Sequence, residues 1–331
     1  MAMIGVRVSR SEAEKHRKTL LDIGVLDINF KIAYDDDFVL LPIKEEINGY
    51  NTIDYDFLPL EKRKSSLREI LSKKIPDSLL AKLRAFDAIG NIALIQLSDD
   101  LIPYEKIIGE ALLELNPFIK AVFRKDSIEG EYRVPKLELI AGNNVTETVY
   151  REFGVRILLD VSKVYFSPRL SEERKRIASL VKKDEIVLDM FCGVGPFSLM
   201  ISKKSEPKKI YAIDINEMAI YYLKKNIALN KTYNIVPIQG DSRSEIKKIE
   251  NPDRIIMNLP HSSFEFLSDV LSTYKNATVH FYAVSENILS VKKKIIEKST
   301  KHEKEIEFLS ERVVKSYSPN TDIYCIDFGF S

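Results

Sequence analysis

Short apolar runs alternate with stretches of helical periodicity through the second half of this 331-residue chain. Each run has the length of a buried strand, and the segments between them carry apolar residues three or four positions apart. This alternation predicts a largely parallel sheet with helices on both faces. The predicted strands are residues 185–191, 209–215, 235–241, 254–260 and 278–284, and the predicted helices include one capped by Asn216 and those at 263–274 and 289–298.

Two strand-like runs, residues 306–314 and 323–328, follow these elements and flank a turn at residues 318–320. Consecutive strands joined by a short turn pair in antiparallel fashion. We therefore predict an α/β domain over residues 161–331, with a Rossmann-like sheet and an antiparallel hairpin on one edge.

The first 160 residues have a less regular pattern, which predicts two smaller α+β domains. Domain boundaries are predicted at 1–62, 63–160 and 161–331, with the charged stretch 61–66 as a linker. In the first domain we predict strands at 4–8 and 38–43 and a helix at 11–21. In the second we predict a first helix after residue 67, a strand at 92–97, a helix at 105–115, and strands at 120–124, 146–152 and 155–161.

A glycine turn follows the first strand of the α/β domain. Gly193 and Gly195 allow the backbone to turn tightly and to approach a ligand. Asp189, Asp214 and Asp241 lie at or near the ends of three successive strands, so they meet at one edge of a parallel sheet. Asp214 follows Asp189 by 25 residues, a spacing that suits a carboxylate bound to a ribose diol. The alternative is that each acid caps a helix or is a solvated strand end.

The cofactor is indicated by the fourth strand. The third glycine of a dinucleotide motif is absent, and Asn258-Leu259-Pro260 ends that strand. An Asn side chain offers a donor and an acceptor to a planar base edge. With the closing hairpin, this resembles class I S-adenosylmethionine methyltransferases that act on a nucleobase nitrogen. The predicted S-adenosylmethionine-binding residues are Asp189, Phe191, Gly193, Gly195, Asp214, Ile215, Asp241, Ser242 and Asn258.

Three other segments make the resemblance more specific. Residues 163–170 with 172–177, residues 130–134 with 136–142, and residues 312–319 resemble the archaeal and eukaryotic tRNA (guanine-37-N1) methyltransferases. The resemblance implies that Glu173 is the general base for guanine N1 and that Arg133 stabilises charge on O6. It implies that Asn258 orients the base and Tyr165 shapes its pocket. The implied substrate-binding residues are Arg133, Tyr165, Arg169, Arg174 and Pro260.

These residues also permit other readings. Glu172 neighbours Glu173, and both are equally the solvated first turn of a helix by pattern alone. A related aminocarboxypropyl transferase of the wyosine pathway uses the same cofactor but tends to place Glu where this chain has Asp214. A methylase that also acts on carbon 7 of the wyosine precursor, and a non-catalytic RNA-binding protein, remain alternatives.

The amino-acid composition indicates which kinds of partner the protein can bind. The 50 basic and 49 acidic residues give a net charge of +1, so an RNA-binding surface must come from local clusters. Two cysteines and four histidines show no zinc spacing, and no apolar run has membrane-spanning length. We expect a cytoplasmic monomer without metal or membrane contact. The resemblance implies that the first domain recognises a distant part of tRNA, such as the elbow, and the second helps to hold the anticodon arm.

Overall fold

The computed structural model describes residues 3–35, 37–60, 66–129 and 134–331. The chain divides into two compact units, Met1–Ile70 and Leu71–Ser331, and each is described by itself. Most of the predicted linker, residues 61–65, lies outside the described residues, as does Arg133. The predicted domain boundaries therefore stay predictions.

The first unit is built on a four-stranded antiparallel sheet of order β2-β3-β1-β4. Val6, Leu20 and Leu41 are fully buried between the sheet and helix α1. The elements are β1 (Met3–Ser9), α1 (Ala13–Asp22), β2 (Ala33–Asp35), β3 (Phe38–Pro42) and β4 (Thr52–Tyr55), with α2 (Leu67–Leu71) at the junction of the units. The predicted strands 4–8 and 38–43 and the helix are confirmed.

The second unit opens with a second four-stranded sheet, of order β5-β6-β7-β8. Its central pair, β6 and β7, is parallel, and helix α4 joins these two strands. A separate hairpin, β9–β10, follows it. The elements are α3 (Asp77–Leu80), β5 (Asp87–Ile89), β6 (Ile92–Ile95), α4 (Glu105–Leu115), β7 (Ala121–Glu129), β8 (Val134–Gly142), β9 (Glu147–Glu152) and β10 (Val155–Asp160).

The remainder of the second unit forms the predicted α/β sheet, and its strand order is β13-β12-β11-β14-β15-β17-β16. Strands β11 to β15 run parallel, and β17 and β16 form the antiparallel edge hairpin. The elements are α5 (Ser171–Leu180), β11 (Ile186–Asp189), α6 (Pro196–Lys204), β12 (Lys209–Asp214), α7 (Glu217–Asn230), β13 (Ile235–Gln239), α8 (Ser242–Glu245), β14 (Arg254–Met257), α9 (Ser263–Thr273), β15 (Ala277–Ser285), α10 (Ile288–Thr300), β16 (Ile306–Ser318) and β17 (Thr321–Phe330).

This order confirms the predicted α/β fold and places a switch point between β11 and β14. The chain leaves β11 toward β12 and β13, then returns to β14 on the other side of β11. Apolar clusters lie on both faces of the sheet. In open sheets of this kind, ligands bind in the crevice beyond the carboxyl ends of the strands at the switch point.

Two buried asparagines of α7 attach the β9–β10 hairpin to the α/β sheet. The Asn226 side chain exchanges hydrogen bonds with the backbone of Leu158, accepting from its N–H at 2.7 Å and donating to its carbonyl at 3.0 Å. The Asn230 side chain makes the same pair of bonds with Arg156, at 2.9 and 2.6 Å. The hairpin is therefore built into the α/β domain through its backbone.

Candidate functional site

The two glycines after β11 serve different purposes. Gly193 and Gly195 both have positive φ, 54° and 87°, where side chains with a Cβ are disfavoured. A Cβ on Gly195 would lie 2.3 Å from Cδ1 of Leu223, so this glycine is required by packing. A Cβ on Gly193 would meet only the Tyr165 carbonyl oxygen, at 3.8 Å. Gly193 therefore faces open space, with the segment that carries Tyr165 beside it.

Asp189 ends β11, and its two carboxylate oxygens differ in their hydrogen bonding. Its Oδ2 accepts a 2.7 Å hydrogen bond from Ser198, whereas Oδ1 is buried without a partner among the described residues. Burial raises the pKa of Asp189 to about 7, against the hydrogen bond from Ser198. A buried acceptor without a donor is costly, so this atom suits a ligand that brings a donor or a positive charge.

Asp214 connects the end of β12 with the glycine turn. Its carboxylate accepts hydrogen bonds from the amides of Gly193 at 2.7 Å and Asn216 at 2.9 Å. Burial outweighs both bonds and raises the pKa of Asp214 above its ordinary value. Asn216 caps α7, as predicted, and its side chain also donates to the Lys163 carbonyl at 3.0 Å. The segment before Tyr165 is thereby held beside the end of β12 and the glycine turn.

The residues after β13 form another wall of the crevice. Asp241 caps α8 by accepting from the Arg243 amide at 2.8 Å, which is the alternative stated for these acids. The carboxylate is also about half exposed, so it keeps capacity for a ligand. Ser242 is buried and donates to the Met190 carbonyl at 2.6 Å. Phe191 packs edge to face on Phe266, 4.8 Å between centroids.

The loop after β14 carries Asn258 at the end of the strand. The side chain of Asn258 makes no hydrogen bond with another described residue. The Ser263 hydroxyl shares its one proton between the Met257 and Leu259 carbonyls, at 3.0 and 2.9 Å, and the Val284 amide donates to the Pro260 carbonyl at 3.0 Å. Asn258 and Pro260 are half-buried, and Ile215 is half-buried on the neighbouring β12 side.

The two adjacent glutamates of α5 have opposite environments. Glu172 is exposed, whereas Glu173 is buried and faces the sheet. Oε1 of Glu173 accepts from Tyr282 and from Arg176 Nη2, both at 2.7 Å, and Oε2 accepts from Arg176 Nε at 3.0 Å. Burial acts to raise the pKa of Glu173, but the bonds from Arg176 and Tyr282 outweigh it and hold that pKa below the ordinary value.

The other predicted substrate residues separate into two groups. Tyr165 and Arg169 are exposed, and Arg169 donates to Asp87 at 2.6 Å. Arg174 is buried: it forms a two-bond ion pair with Glu152 at 2.6 and 2.5 Å and donates to the Ser167 carbonyl at 3.1 Å. Because its donors point inward, any effect of Arg174 on a substrate is indirect, through the position of Ser167. Arg133 lies outside the described residues.

Several residues around Glu173 were not predicted as site residues. Arg176 contacts Asp327 and Glu173 together, and Tyr282 and His280 approach from β15. The sequence does carry a signal, since His280 and Asp327 are polar residues inside apolar strand runs. Among the residues that the structure describes, no cluster suits a metal ion, and no helix is long and apolar enough to span a membrane.

Three family models match the chain in succession. A tRNA methyltransferase 5 N-terminal domain matches residues 5–51, and a TYW2 N-terminal domain matches residues 67–146. A TRM5/TYW2 methyltransferase domain matches residues 148–309.

Two curated relatives match over nearly the whole length, and a third matches over a shorter part. The chain is 42% identical to the tRNA (guanine(37)-N(1))-methyltransferase Trm5b of Pyrococcus abyssi, over 99% of both proteins. It is 37% identical to Trm5b of Methanocaldococcus jannaschii, over 98% of this chain and 97% of that protein. The tRNA 4-demethylwyosine(37)-methyltransferase Taw21 of Saccharolobus solfataricus is 36% identical, over 61% of this chain and 79% of its own length.

Solved structures show the same fold. Trm5b of Pyrococcus abyssi superposes with a TM-score of 0.76 at 41% identity, covering 99% of both chains. A complex of aTrm5 and tRNALeu gives 0.73 at 35% identity, over 98% of this chain and 99% of that one. TYW2 of Pyrococcus horikoshii in complex with MeSAdo gives 0.65 at 30% identity, over 80% and 97%. The chain belongs to the TRM5/TYW2 family of methyltransferases.

Proposed function

We propose that this protein is a tRNA (guanine-37-N1) methyltransferase that uses S-adenosylmethionine. The observation that carries the proposal is one crevice at the switch point, where Gly193, Asp214 and Asn258 lie at the ends of neighbouring strands and the Asn258 amide has no hydrogen-bond partner among the described residues. Full-length similarity to proteins named for this activity supports it.

Residues of the crevice suit the cofactor chemically. When bound, S-adenosylmethionine supplies an electrophilic methyl group on a positively charged sulfonium. Asp214 would bind the ribose hydroxyls, and the unsatisfied Oδ1 of Asp189 would accept a donor from the methionine portion. Gly193, Gly195, Phe191, Ile215, Asp241 and Ser242 would line the rest of the site. The open side of Gly193 leaves room for such a ligand.

Glu173 would remove the proton from guanine N1. Its Oε2 accepts one hydrogen bond, from Arg176 Nε, with Arg312 Nη1 3.6 Å away, whereas Oε1 accepts two, so Oε2 is the less saturated oxygen and the one proposed to take the proton. A positioned base contributes about 10²–10⁴-fold to the rate. Arg133 would stabilise the charge that then develops on O6. Asn258 would hold the base edge through its donor and acceptor, beside Tyr165 and Pro260.

Basic residues near this crevice would bind the RNA backbone. Asp87 accepts from Lys125 at 2.8 Å and from Arg169 at 2.6 Å, and Lys315 lies close to all three. Burial and then repulsion by Arg169 lower the pKa of Lys315. Three cations thus share one carboxylate, and a phosphate would relieve the excess positive charge. This surface would contact the anticodon arm and the first unit the elbow. We take the protein as a cytoplasmic monomer.

A second candidate activity is methylation of carbon 7 in the wyosine precursor. Similarity to Taw21 favours this addition, although it spans a shorter part of the chain than the similarity to Trm5b. The aminocarboxypropyl transfer is disfavoured by Asp214, since those enzymes tend to carry Glu there.

The test is transfer of labelled methyl groups to unmodified tRNA transcripts with G or A at position 37. Formation of N1-methylguanosine on the G37 transcript alone supports the proposal. Transfer only to tRNA that carries the wyosine precursor would support the second candidate, and binding of the cofactor without any transfer would contradict both.

A further inference from the structure

A continuous chain of buried polar groups leads away from Glu173 across three strands of the sheet. Arg176 donates from Nη1 to Asp327 Oδ2 at 2.6 Å while it holds Glu173 with Nε and Nη2. Asp327 Oδ1 contacts His280 Nδ1 at 2.6 Å, and His280 Nε2 contacts Arg254 at 2.8 Å. Arg254 ends the chain in a two-bond ion pair with Glu185.

The two neighbours of His280 fix its tautomer. An arginine is always a donor, so Nε2 must accept from Arg254 and carries no proton. Nδ1 therefore carries the single ring proton and donates it to Asp327. Burial and then the nearby arginines act against a second proton, and the pKa of His280 is lowered. A neutral His280 donates to Asp327 without supplying a full positive charge.

Asp327 is consequently held as an anion that depends on Arg176. Burial acts to raise its pKa, but donors from His280, Arg176 and Ser310 outweigh it and lower that pKa strongly. Ser310 donates to Oδ2 at 2.7 Å from the edge strand β16. Arg176 thus lies between two carboxylates, one at the candidate base and one deeper in the sheet.

We propose that Arg176, anchored by Asp327, is a positioning residue that fixes the carboxylate of Glu173 for proton transfer. The proposal rests on Glu173 as the general base of the proposed function. When Glu173 takes a proton and becomes neutral, Asp327 remains as the counter-charge of Arg176. The guanidinium then keeps its place, and Glu173 returns to the same geometry after the proton leaves.

The energetics favour a functional reason for this arrangement. Burying ion pairs costs desolvation energy, and well-packed apolar residues of similar volume are often at least as stable. Here five charged side chains and a histidine are buried or half-buried in a row that starts at the candidate base. The groups that face Glu173 are Arg176 from α5, Tyr282 from β15, Arg312 from β16 and Cys325 from β17, and Asp327 of β17 is linked to it through Arg176.

The test is the pH dependence of single-turnover methyl transfer by the full-length protein with saturating cofactor. In Arg176→Gln, the acidic limb of the profile should move upward by about one to three pH units, because Glu173 loses its positive neighbour. The plateau should fall about tenfold or more, because the carboxylate loses its fixed position. Arg176→Lys keeps the charge but loses the planar guanidinium that contacts both carboxylates, so it should restore the limb and not the plateau.

Asp327→Asn should not move the acidic limb upward. Without Asp327, Arg176 pairs with Glu173 alone, so the limb should stay at or below the wild-type pH while the plateau falls. Lys293→Gln, on the exposed face of α10, is the control for a lost surface charge and should match the wild type.

Two results would overturn the proposal. One is an acidic limb in Arg176→Gln at the same pH as in the wild type. The other is an upward shift of the limb in Asp327→Asn as large as the shift in Arg176→Gln. If Asp327→Asn does not fold, the comparison of Arg176→Gln with Arg176→Lys decides alone. Absence of methyl transfer by the wild-type protein would instead contradict the proposed function.

Discussion

The backbone amide of Gly193 donates a 2.7 Å hydrogen bond to Oδ2 of Asp214, so the turn after one strand is fastened to the end of the next. Asp214→Asn removes the charge that strengthens this bond and the proposed bonds to ribose hydroxyls. Charge-assisted hydrogen bonds are worth about 1.5–3 kcal/mol, so cofactor affinity should fall roughly tenfold or more. Isothermal titration with S-adenosylmethionine measures this change.

Glu217→Gln is the matched control for that substitution, because Glu217 is an exposed acid three residues away on α7. It should leave cofactor affinity unchanged. Equal losses in the two variants would show that net charge, and not the Asp214 contact, governs binding.

The two glycines should separate stability from ligand binding. Gly195→Ala places a methyl group 2.3 Å from Leu223 in a backbone conformation with φ of 87°, so the melting temperature should fall clearly. Gly193→Ala meets open space, so its stability loss should be limited to the left-handed backbone, about 1–2 kcal/mol. Cofactor binding should suffer most in Gly193→Ala. The measurement is thermal melting of both variants with and without S-adenosylmethionine. If the cofactor stabilises Gly193→Ala as much as it stabilises the wild type, the open side of Gly193 is not the ligand side.

Asp189 should make the ligand-free protein less stable as the pH rises. Its pKa is raised from 3.8 to about 7, so between these values the folded state binds more protons than the unfolded state. This contribution to stability is fully present below about pH 4 and is lost as pH rises through about 7. At about 1.4 kcal/mol per pKa unit, the difference is about 4 kcal/mol.

Asp189→Asn lacks this titration. Its free energy of unfolding, relative to the wild type, should therefore increase between pH 4 and pH 8 in denaturant titrations. A constant difference across this range would mean that Asp189 is not protonated in the folded protein. Cofactor affinity should nevertheless be lower in the variant.

The contrast between neighbouring glutamates is directly testable. Glu173→Gln should lower single-turnover methyl transfer by about 10²–10⁴-fold, because a carboxamide cannot accept the N1 proton. Glu172→Gln is the matched control, since Glu172 is exposed, and should be close to the wild type. Both should bind the cofactor normally. Similar rates in the two variants would remove Glu173 as the base.

Lys315 should contribute one phosphate contact. Lys315→Gln should weaken tRNA binding and reduce the slope of log affinity against log salt concentration by about one. Lys293→Gln, far more exposed on α10, serves as the control. If the slope is unchanged in Lys315→Gln, Lys315 does not contact a phosphate of the RNA.

The sequence predicted the α/β sheet well because its strands are continuous apolar runs. Strands β2 and β4 of the first unit were missed because they are short and largely exposed, which leaves little apolar pattern. The helix cap at Asn216 was predicted from its position alone, and the structure confirms it.

The surroundings of the candidate base were beyond sequence reasoning. Arg176 and Asp327 lie 151 residues apart, and only the order β15-β17-β16 brings the latter under α5. The ion pair of Arg174 could not be predicted either, because its partner Glu152 is in a hairpin that the sequence pattern assigned to another domain. Burial and pairing depend on tertiary contacts that local periodicity does not encode.

The bonds from Asn226 and Asn230 to the β9–β10 backbone have a practical consequence for dissecting this protein. A fragment starting at residue 161 would retain both buried amides on α7 but lose the carbonyls and amides they satisfy. Such a fragment would expose the side chains of Asn226 and Asn230 and the apolar surface that the hairpin covers. A catalytic core that is meant to be expressed alone, or exchanged between relatives, should therefore begin before Glu147.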